Sequence, residues 1–365
     1  MPLETLFEPI RLGNLDLSNR LVMAPMTRCF SPDGVPGADV AQYYRRRAEG
    51  GTGLIITEGT AINDPAAVSS DAIPRFHGEV ALARWDHVRA EVHGAGGRIF
   101  PQLWHVGSAR RPEQSGHPEV PAVSPSGLFA QDEPNGKELT VEHIDRIIAA
   151  FGQAAADAMR LGFDGIELHF AHGYLADQFF WAPTNLRTDE YGRRRTLFAE
   201  KVITECRLRT APAFPIAMRF SQWKQQDYDA RLFDTPAALE AFLRVMVDAG
   251  VDIFHCSTRR FWQPEFDGSA LNLAGWTKKL SCKPVITVGS VGLDQEFLVT
   301  RTGRTGAGAD ESYLGLLEQM LSSGEVDLVA VGRGMLVNPA WGQLMREGRA
   351  AELLPYTKEA EQVLS

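Results

Sequence analysis

Cysteine is scarce in this sequence, and no two cysteines stand at the short spacing of a metal-binding or redox motif. The four cysteines are scattered along the chain, at Cys29, Cys206, Cys256 and Cys282. This pattern provides no disulfide framework and no cysteine metal site, and it is typical of a reducing compartment. We therefore expect the protein to bind no structural metal.

Long apolar runs and a secretion signal are also missing. No stretch of the sequence is long and apolar enough to span a membrane. The first residues lack the basic and apolar regions of a signal peptide. From these two absences we expect a cytoplasmic protein that has no membrane partner.

An excess of positive charge is missing as well. The formal net charge is −9 and the pI is about 5.6, which argues against a nucleic-acid partner. One basic run, Arg45-Arg46-Arg47, falls within a helical pattern. We expect these three side chains to lie on a solvated face of that helix.

A dinucleotide-binding fingerprint is the last missing feature. No G-x-G-x-x-G segment follows an early predicted strand, which argues against a doubly wound nucleotide-binding sheet. The glycines of residues 303–308 come late in the chain, among threonines and arginines. We expect that segment to be a surface loop.

The sequence does contain a repeated alternation of short apolar runs and helical patterns. Eight runs rich in Val, Ile and Leu predict strands at 21–23, 53–56, 98–103, 165–168, 215–221, 251–257, 283–289 and 327–332. This order predicts an α/β fold, a single (β/α)8 TIM barrel over residues 1–365. Alternation around Gly13-Asn14 predicts a hairpin at 10–17 that plugs the floor of the barrel. The segment 104–139 predicts a long functional loop.

Two histidines and a tyrosine follow the fourth predicted strand. His169, His172 and Tyr174 lie within six residues, where a barrel presents its catalytic face. Imidazoles can donate hydrogen bonds to a carbonyl or nitro oxygen, and a phenol can donate a proton. Metal binding is one alternative, although two histidines without nearby Cys or carboxylate ligands are a weak zinc signal. The other alternative is a pair of ordinary loop histidines.

Glycine turns end the last two predicted strands. Gly289-Ser290 follows the seventh strand and Gly332-Arg333 follows the eighth, the two positions at which barrels often hold phosphate. Glycine lets backbone N–H groups approach phosphate oxygens, and arginine adds a bidentate cation. Each turn alone has an ordinary structural explanation. Together they predict a cofactor that carries a phosphate.

Polar side chains at other strand ends would suit an isoalloxazine ring. Gln102 can donate and accept hydrogen bonds, Arg219 is a permanent cation, and Thr27 offers a hydroxyl. A flavin needs such partners along its pyrimidine edge and positive charge near N1 and O2. The alternative for each residue is a polar side chain that is satisfied locally at a strand end.

In these features the chain resembles the old yellow enzyme family of FMN-dependent ene reductases. The matching segments follow the family's order through nearly the whole chain, at 19–28, 57–59, 101–107, 162–169, 172–179, 187–192 and 331–333. The resemblance implies an FMN-bound TIM barrel that uses NAD(P)H as its reductant. It also implies ping-pong reduction of an activated alkene, with His169 and His172 binding the electron-withdrawing group and Tyr174 donating the proton.

The resemblance assigns the cofactor contacts as well. Its implied FMN-binding residues are Pro25, Met26, Thr27, Gly59, Gln102, Arg219, Gly289, Ser290, Gly332 and Arg333. Trp104 joins the histidines and the tyrosine in the implied substrate site. The expected partner is a small molecule, either an activated alkene, a quinone or a nitro compound, and the expected assembly is a monomer or homodimer.

Some positions depart from the family's pattern. Phe170 stands where a small residue is common and could reshape the site, and the loop after Gly192 is a few residues short. The polar segment 221–227 either lines the mouth or is a solvated loop. Competing functions are a barrel lyase or isomerase that acts on a phosphorylated substrate without flavin, and a flavin-storing protein without turnover. A further rival carries an iron–sulfur cluster after the barrel, but this sequence has no cysteine cluster there.

Overall fold

A closed barrel of eight parallel strands forms the centre of the molecule. The structure is a computed structural model that describes residues 3–292 and 311–365. The strands hydrogen-bond in chain order and the last pairs with the first. They are β3 (Leu21–Met23), β4 (Leu54–Ala61), β5 (Arg98–Trp104), β10 (Ile166–His169), β11 (Ile216–Phe220), β12 (Ile253–Ser257), β13 (Val285–Val288) and β14 (Leu328–Val331).

Helices alternate with the barrel strands, as the sequence predicts. They are α1 (Ala38–Glu49), α2 (Glu79–Gly94), α3 (Val141–Leu161), α4 (Leu175–Phe180), α5 (Glu190–Arg193), α6 (Leu197–Leu208), α7 (Pro236–Ala249), α8 (Leu273–Ser281), α9 (Glu311–Ser322), α10 (Gly334–Val337) and α11 (Trp341–Arg346). None of the helices in the part of the chain that the structure describes has the length and apolar character to cross a membrane. The expected surface loop at 303–308 lies outside the described residues.

Local sequence signals explain where the long helices begin and end. The Thr140 side chain accepts a hydrogen bond from the backbone N–H of His143 at the start of α3, which satisfies one of the helix's unpaired donors. Gly162 ends α3 with a φ of 84°, a left-handed conformation that glycine adopts without strain. Thr235 caps α7 in the same way as Thr140 caps α3.

The N-terminal hairpin plugs the floor of the barrel, which confirms the prediction. Strands β1 (Ile10–Leu12) and β2 (Leu15–Leu17) pair antiparallel. Their leucines join the apolar cluster inside the barrel, which contains Leu12, Leu15, Leu17, Val22, Ala24, Leu54, Ile56, Phe100, Ala217, Ile253, Ile286, Val288, Leu328 and Ala330. The barrel interior is therefore a packed core below its polar rim.

Strand β4 is longer than the sequence indicates. The pairing with β5 shifts register between Ile56 and Gly59, opposite Pro101. Proline has no N–H to give to a strand ladder, and the shift lets the backbone N–H of Gln102 reach the Thr57 hydroxyl at 3.1 Å instead. The segment 57–61 looks like a turn in sequence because it is polar and contains glycine.

The long loop after β5 has short elements of its own. Strand β6 (Val123–Ser124) pairs with β9 (Lys137–Glu138), and β7 (Leu128–Ala130) pairs with β8 (Glu133–Pro134). The shortened segment after Gly192 begins at the end of the single-turn helix α5. The Asp189 side chain caps this helix by accepting hydrogen bonds from the backbone N–H groups of Tyr191 and Gly192.

The basic run in α1 does not lie on a solvated face, so that prediction is wrong for Arg47. The Arg47 side chain is fully buried and stacks 3.7 Å from the Tyr43 ring centroid. Its guanidinium donates to the carbonyls of Tyr43, Met335 and Ser365. The helix therefore turns one arginine inward, where it donates to the buried carbonyl of Met335.

Replacing Arg47 tests this interior role. We expect Arg47→Met to lower the free energy of unfolding by about 3 kcal/mol, because the buried Met335 carbonyl loses its donor and the stacking on Tyr43 is lost. The matched control is Arg45→Met, which removes a partly exposed arginine paired with Glu49 and Glu91 and should lower the free energy of unfolding far less, because these pairs are open to solvent. Urea denaturation measures both. Equal losses in the two variants would contradict the account.

Candidate active site

The carboxyl ends of the barrel strands bring the predicted polar residues together. His169 on β10 pairs with Arg219 on β11, and Arg219 pairs with His255 on β12. On the other side, Gln102 on β5 pairs with Gly59 on β4 and with Glu167 on β10. Residues that are far apart in sequence are thus neighbours on one rim of the barrel.

An aromatic cluster surrounds the predicted catalytic residues. The Tyr174 ring centroid lies 4.9 Å from those of His169 and Trp104, and 6.5 Å from that of His172. The two histidine rings are 5.1 Å apart. The chain reaches this geometry because His169 ends β10 and Tyr174 immediately precedes α4. The predicted triad therefore forms one compact group beside Trp104.

Gly59 has no room for a side chain because Trp104 packs against it. A Cβ at this position would lie 2.4 Å from an atom of the Trp104 ring. The absence of a side chain at Gly59 therefore leaves the space that the Trp104 ring occupies at the edge of the cluster.

His172 is held by two neighbouring strand ends. Its φ is 65°, a left-handed conformation that is uncommon for a residue with a side chain. Its backbone N–H donates to the Ser221 hydroxyl at 3.0 Å, and its Nε2 lies 2.8 Å from the Ser257 hydroxyl. The Trp223 ring packs against the imidazole at a centroid distance of 4.5 Å. The backbone of His172 is therefore fixed by Ser221, and its ring by Ser257 and Trp223.

A buried ion pair joins α4 to the loop after β11. Lys224 Nζ lies 2.9 Å from an Asp177 carboxylate oxygen, and both side chains are fully buried. Asp177 also accepts from the backbone N–H of Gly173 at 2.7 Å. The pair thus locks the turn after His172 against the loop after β11. Of the two alternatives for the segment 221–227, the solvated loop is wrong for Ser221, Gln222 and Lys224, which are buried.

The Phe170 ring, which could have reshaped the site, packs away from it. It is fully buried against Phe151 of α3, 6.2 Å away. Successive residues of a strand face opposite sides, so His169 faces the rim and Phe170 faces the surrounding helices.

Both histidines are neutral at ordinary pH. Burial lowers the pKa of His169 well below its usual value, and the Arg219 cation adds to this effect. Burial, followed by Arg219, likewise lowers the pKa of His172 well below its usual value. A neutral imidazole donates through one nitrogen and accepts through the other. Each ring can therefore offer one hydrogen bond to a polar substrate atom.

A second polar layer lies at the centre of the rim. Glu167 is fully buried and accepts from Gln102 Nε2 at 2.8 Å. Its other oxygen lies 2.6 Å from His255 Nδ1. Arg219 Nη2 donates to the Ser257 hydroxyl at 3.3 Å, whereas its Nε and Nη1 are buried and have no partner among the described residues. The buried guanidinium still has donors to give to a bound group.

The two predicted phosphate turns are adjacent in space. Strands β13 and β14 pair through Ile286 and Leu328, so the turns at Gly289-Ser290 and Gly332-Arg333 leave the barrel side by side. A Cβ on Gly332 would lie 3.6 Å from Met26 Sδ, which brings the second turn next to the loop after β3. The Arg333 guanidinium lies over the Tyr356 ring at 5.8 Å.

The loop after β3 carries Pro25, Met26 and Thr27, and Glu58 anchors it. One Glu58 oxygen accepts from the backbone N–H groups of Arg28 at 2.8 Å and Cys29 at 3.3 Å. Glu58 is buried, and burial raises its pKa to about 7. Thr27 itself is exposed at the mouth.

These features fit FMN better than they fit a metal ion. A buried cation with unpaired donors suits the pyrimidine edge of a flavin, and paired glycine turns suit its phosphate. Among the residues that the structure describes, no group of three or more His, Cys, Asp or Glu side chains could hold a metal ion.

A family comparison agrees with this chemistry. Residues 5–352 match the sequence profile of the family described as NADH:flavin oxidoreductase / NADH oxidase. The chain belongs to this family. The predicted FMN cofactor and nicotinamide reductant are thereby confirmed.

Curated relatives support the assignment. The NADH oxidase of Thermoanaerobacter brockii is 33% identical over 95% of this chain. The chain spans about half of that relative, 52% of its length. A putative 12-oxophytodienoate reductase 2 of Oryza sativa subsp. japonica is 32% identical over 92% of this chain and 85% of its own length.

Solved structures share the fold. Morphinone reductase in complex with tetrahydroNAD superposes with a TM-score of 0.80 at 27% identity, covering 98% of this chain and 93% of the other. The old yellow enzyme homologue of Zymomonas mobilis gives a TM-score of 0.79 at 26% identity, covering 98% and 96%. The predicted TIM barrel and the old yellow enzyme resemblance are confirmed, while the roles of individual residues stay predictions.

Several residues of the site were missed from sequence alone. Glu167 carried a signal, because it stands two residues before His169 and so faces the same side of the strand. Ser257 carried another, because it is polar and ends a predicted strand. The Lys224–Asp177 pair and the packing of Trp223 had no local signal, because they depend on the loop after β11 meeting α4 and His172 in the folded chain.

The raised pKa of Glu58 generates a prediction about pH and stability. Because the folded-state pKa is about 7, above the usual carboxyl value, the folded protein should lose stability as pH rises from about 4.5 to 7. Over this pH range, the ionisation of Glu58 alone lowers the free energy of unfolding by about 3 kcal/mol in total. We expect Glu58→Gln, which keeps an acceptor oxygen but cannot ionise, to flatten this pH dependence.

Thermal midpoints between pH 5 and pH 8 measure the effect. The matched control, Glu240→Gln on the exposed face of α7, should follow the parent protein at every pH. Parallel curves for the parent and Glu58→Gln would show that Glu58 does not titrate in this range.

Proposed function

We propose that the protein is an FMN-dependent ene reductase that uses NAD(P)H to reduce the activated C=C bond of α,β-unsaturated carbonyl or nitro compounds in two separate half-reactions. The observation that carries the proposal is the group of two neutral histidines and a tyrosine within one aromatic cluster, beside the buried Arg219 cation. The names of the relatives, which include 12-oxophytodienoate reductases, support the same class of acceptor.

FMN, when bound, supplies the hydride-carrying centre that links the nicotinamide donor to the alkene. Pro25, Met26, Thr27 and Gly59 would lie along the ring. Gln102 and Arg219 would bind its pyrimidine edge, where a positive charge favours the reduced form. Gly289, Ser290, Gly332 and Arg333 would hold the phosphate through backbone N–H groups and a guanidinium.

The histidines bind the oxygen of the substrate's activating group. The Ser257 hydroxyl favours the tautomer of His172 that carries its proton on Nδ1. Its hydroxyl oxygen accepts from Arg219, so its own hydrogen is available to His172 Nε2 at 2.8 Å. The proton of the neutral ring then resides on Nδ1, which becomes the donor. Such donors stabilise the enolate-like charge that develops as hydride arrives.

Tyr174 supplies the proton that completes alkene reduction. Its ring is half-buried and packs edge-on against both His169 and Trp104 at 4.9 Å, so the phenol is held at the border of the cluster. General acid catalysis of this kind accelerates a step by roughly 10²–10⁴-fold. Trp104 forms the apolar wall that excludes water from the reacting carbon atoms.

Removing His172 should separate the two half-reactions. We expect His172→Ala to weaken phenol binding and to slow the oxidation of the reduced enzyme by 2-cyclohexenone about 100-fold, because one donor to the developing oxyanion is lost. Reduction by NADPH should change much less. Stopped-flow absorbance follows both steps. The control His87→Ala, on the exposed face of α2, should leave both rates unchanged, and an unaltered oxidation rate in His172→Ala would contradict the role.

Tyr174→Phe tests the proton donor. We expect turnover with 2-cyclohexenone to fall about 100-fold or more, because carbon protonation loses its acid, while turnover with a quinone stays within about twofold. Tyr191→Phe is the matched control, since Tyr191 is buried and its hydroxyl accepts only from Lys201 among the described residues. Unchanged enone turnover in Tyr174→Phe would remove Tyr174 from this role.

A further inference from the structure

We propose that Glu167 is a positioning residue for the flavin: it fixes the hydrogen-bonding faces of Gln102 and His255, and its negative charge offsets Arg219 and thereby lowers the flavin's reduction potential. The inference rests on the proposed function for the location of the flavin. It concerns a residue that stands one layer below the predicted substrate-binding pair.

The position of Glu167 in the barrel is the first argument. It stands two residues before His169 on β10 and therefore faces the same side of the strand. Its side chain is fully buried, and a buried carboxylate needs hydrogen-bond partners. It has two, Gln102 Nε2 at 2.8 Å and His255 Nδ1 at 2.6 Å. One carboxylate on β10 thus links the neighbouring strand β5 to β12, which lies beyond β11 in the barrel.

Glu167 decides the orientation of the Gln102 amide. A carboxylate only accepts hydrogen bonds, so the amide nitrogen must face Glu167 and the amide oxygen must face away. The backbone N–H of Gln102 is fixed separately by the Thr57 hydroxyl at 3.1 Å. Gln102 therefore presents its oxygen, an acceptor, to whatever binds above it. The N–H of a flavin's pyrimidine ring is such a donor.

Glu167 also decides the tautomer of His255. Burial, the largest effect, lowers the pKa of His255, and the ring is neutral. Its Nδ1 must carry the proton in order to donate to Glu167. Nε2 is then an acceptor, and it is buried without a partner among the described residues. Gln102 and His255, the two residues that contact Glu167, thus each keep an acceptor atom for another group.

The charge of Glu167 acts on Arg219. The guanidinium is buried, and no carboxylate within the described residues forms an ion pair with it; its one hydrogen bond there goes to Ser257. The nearby Glu167 carboxylate opposes the effect of burial, which lowers the pKa of Arg219. Without Glu167, the full positive charge of Arg219 would act on the flavin and favour its anionic reduced form.

The test replaces Glu167 by glutamine in the FMN-loaded protein. Gln keeps an oxygen for Gln102 Nε2 but removes the charge and places an N–H₂ against His255. We expect the ratio of reduced to oxidised flavin at a fixed potential to rise at least tenfold, which equals about 30 mV for a two-electron couple. Anaerobic titration against a reference dye measures this ratio without any alkene substrate.

A matched control separates a local effect from a general one. Asp327→Asn removes another carboxylate of the barrel, one that binds Lys278 at 2.9 Å and the backbone N–H of Val285 at 2.8 Å. It precedes β14, at the opposite end of the barrel. We expect its flavin ratio to stay within twofold of the parent. A Glu167→Gln ratio that also stays within twofold would overturn the proposal.

A second measurement does not depend on the variant folding. In the parent holoenzyme, the ¹⁵N chemical shifts of His255, assigned by their loss in His255→Gln, report its tautomer. We expect a proton on Nδ1 and none on Nε2 between pH 6 and pH 8. A ring protonated on Nε2 would overturn the proposal even if Glu167→Gln cannot be purified.

The two proposals fail in different ways. If the parent reduces 2-cyclohexenone but Glu167→Gln leaves the flavin ratio unchanged, the positioning role alone is wrong. If the ratio shifts as expected but no enone is reduced, the role of Glu167 stands and the proposed function is wrong.

Discussion

Eight parallel strands close into a barrel only when each strand pairs with both of its neighbours, and this closure brings every strand's carboxyl end to one rim. The register of β10, β11 and β12 aligns His169 with Arg219 and Arg219 with His255. No local sequence feature holds these residues together. The hairpin of β1 and β2 fills the floor with leucines, so the polar residues at the rim rest on a packed apolar interior. The site depends on that closure.

Burial at the rim gives these polar groups their chemistry. Arg219 is buried, and its cation adds to the effect of burial in keeping His169 and His172 neutral. Neutral imidazoles present one donor each, and in a site of low dielectric such donors act more strongly than in water. The Lys224–Asp177 ion pair keeps the turn after His172 in place. Geometry and protonation state therefore follow from the same packing.

Much of the fold could be predicted from the sequence because the barrel repeats one simple pattern. The predicted strand at 21–23 and the predicted hairpin at 10–17 correspond closely to the observed elements. Strand β4 is predicted too short, because a register shift opposite Pro101 makes a polar, glycine-containing segment part of the sheet. Arg47 is placed wrongly because its partners, such as the carbonyls of Met335 and Ser365, are remote in sequence. Contacts of that kind depend on tertiary packing, which periodicity does not report.

The most direct test of the central claim is an anaerobic absorbance titration of the purified protein with NADPH or NADH, followed by 2-cyclohexenone. The account predicts a flavin spectrum that bleaches with the reduced nicotinamide and returns when the enone is added. A flavin that bleaches but returns only with oxygen or a quinone would contradict alkene reduction. Protein that shows no flavin spectrum, even after incubation with FMN, would contradict the account of the site itself.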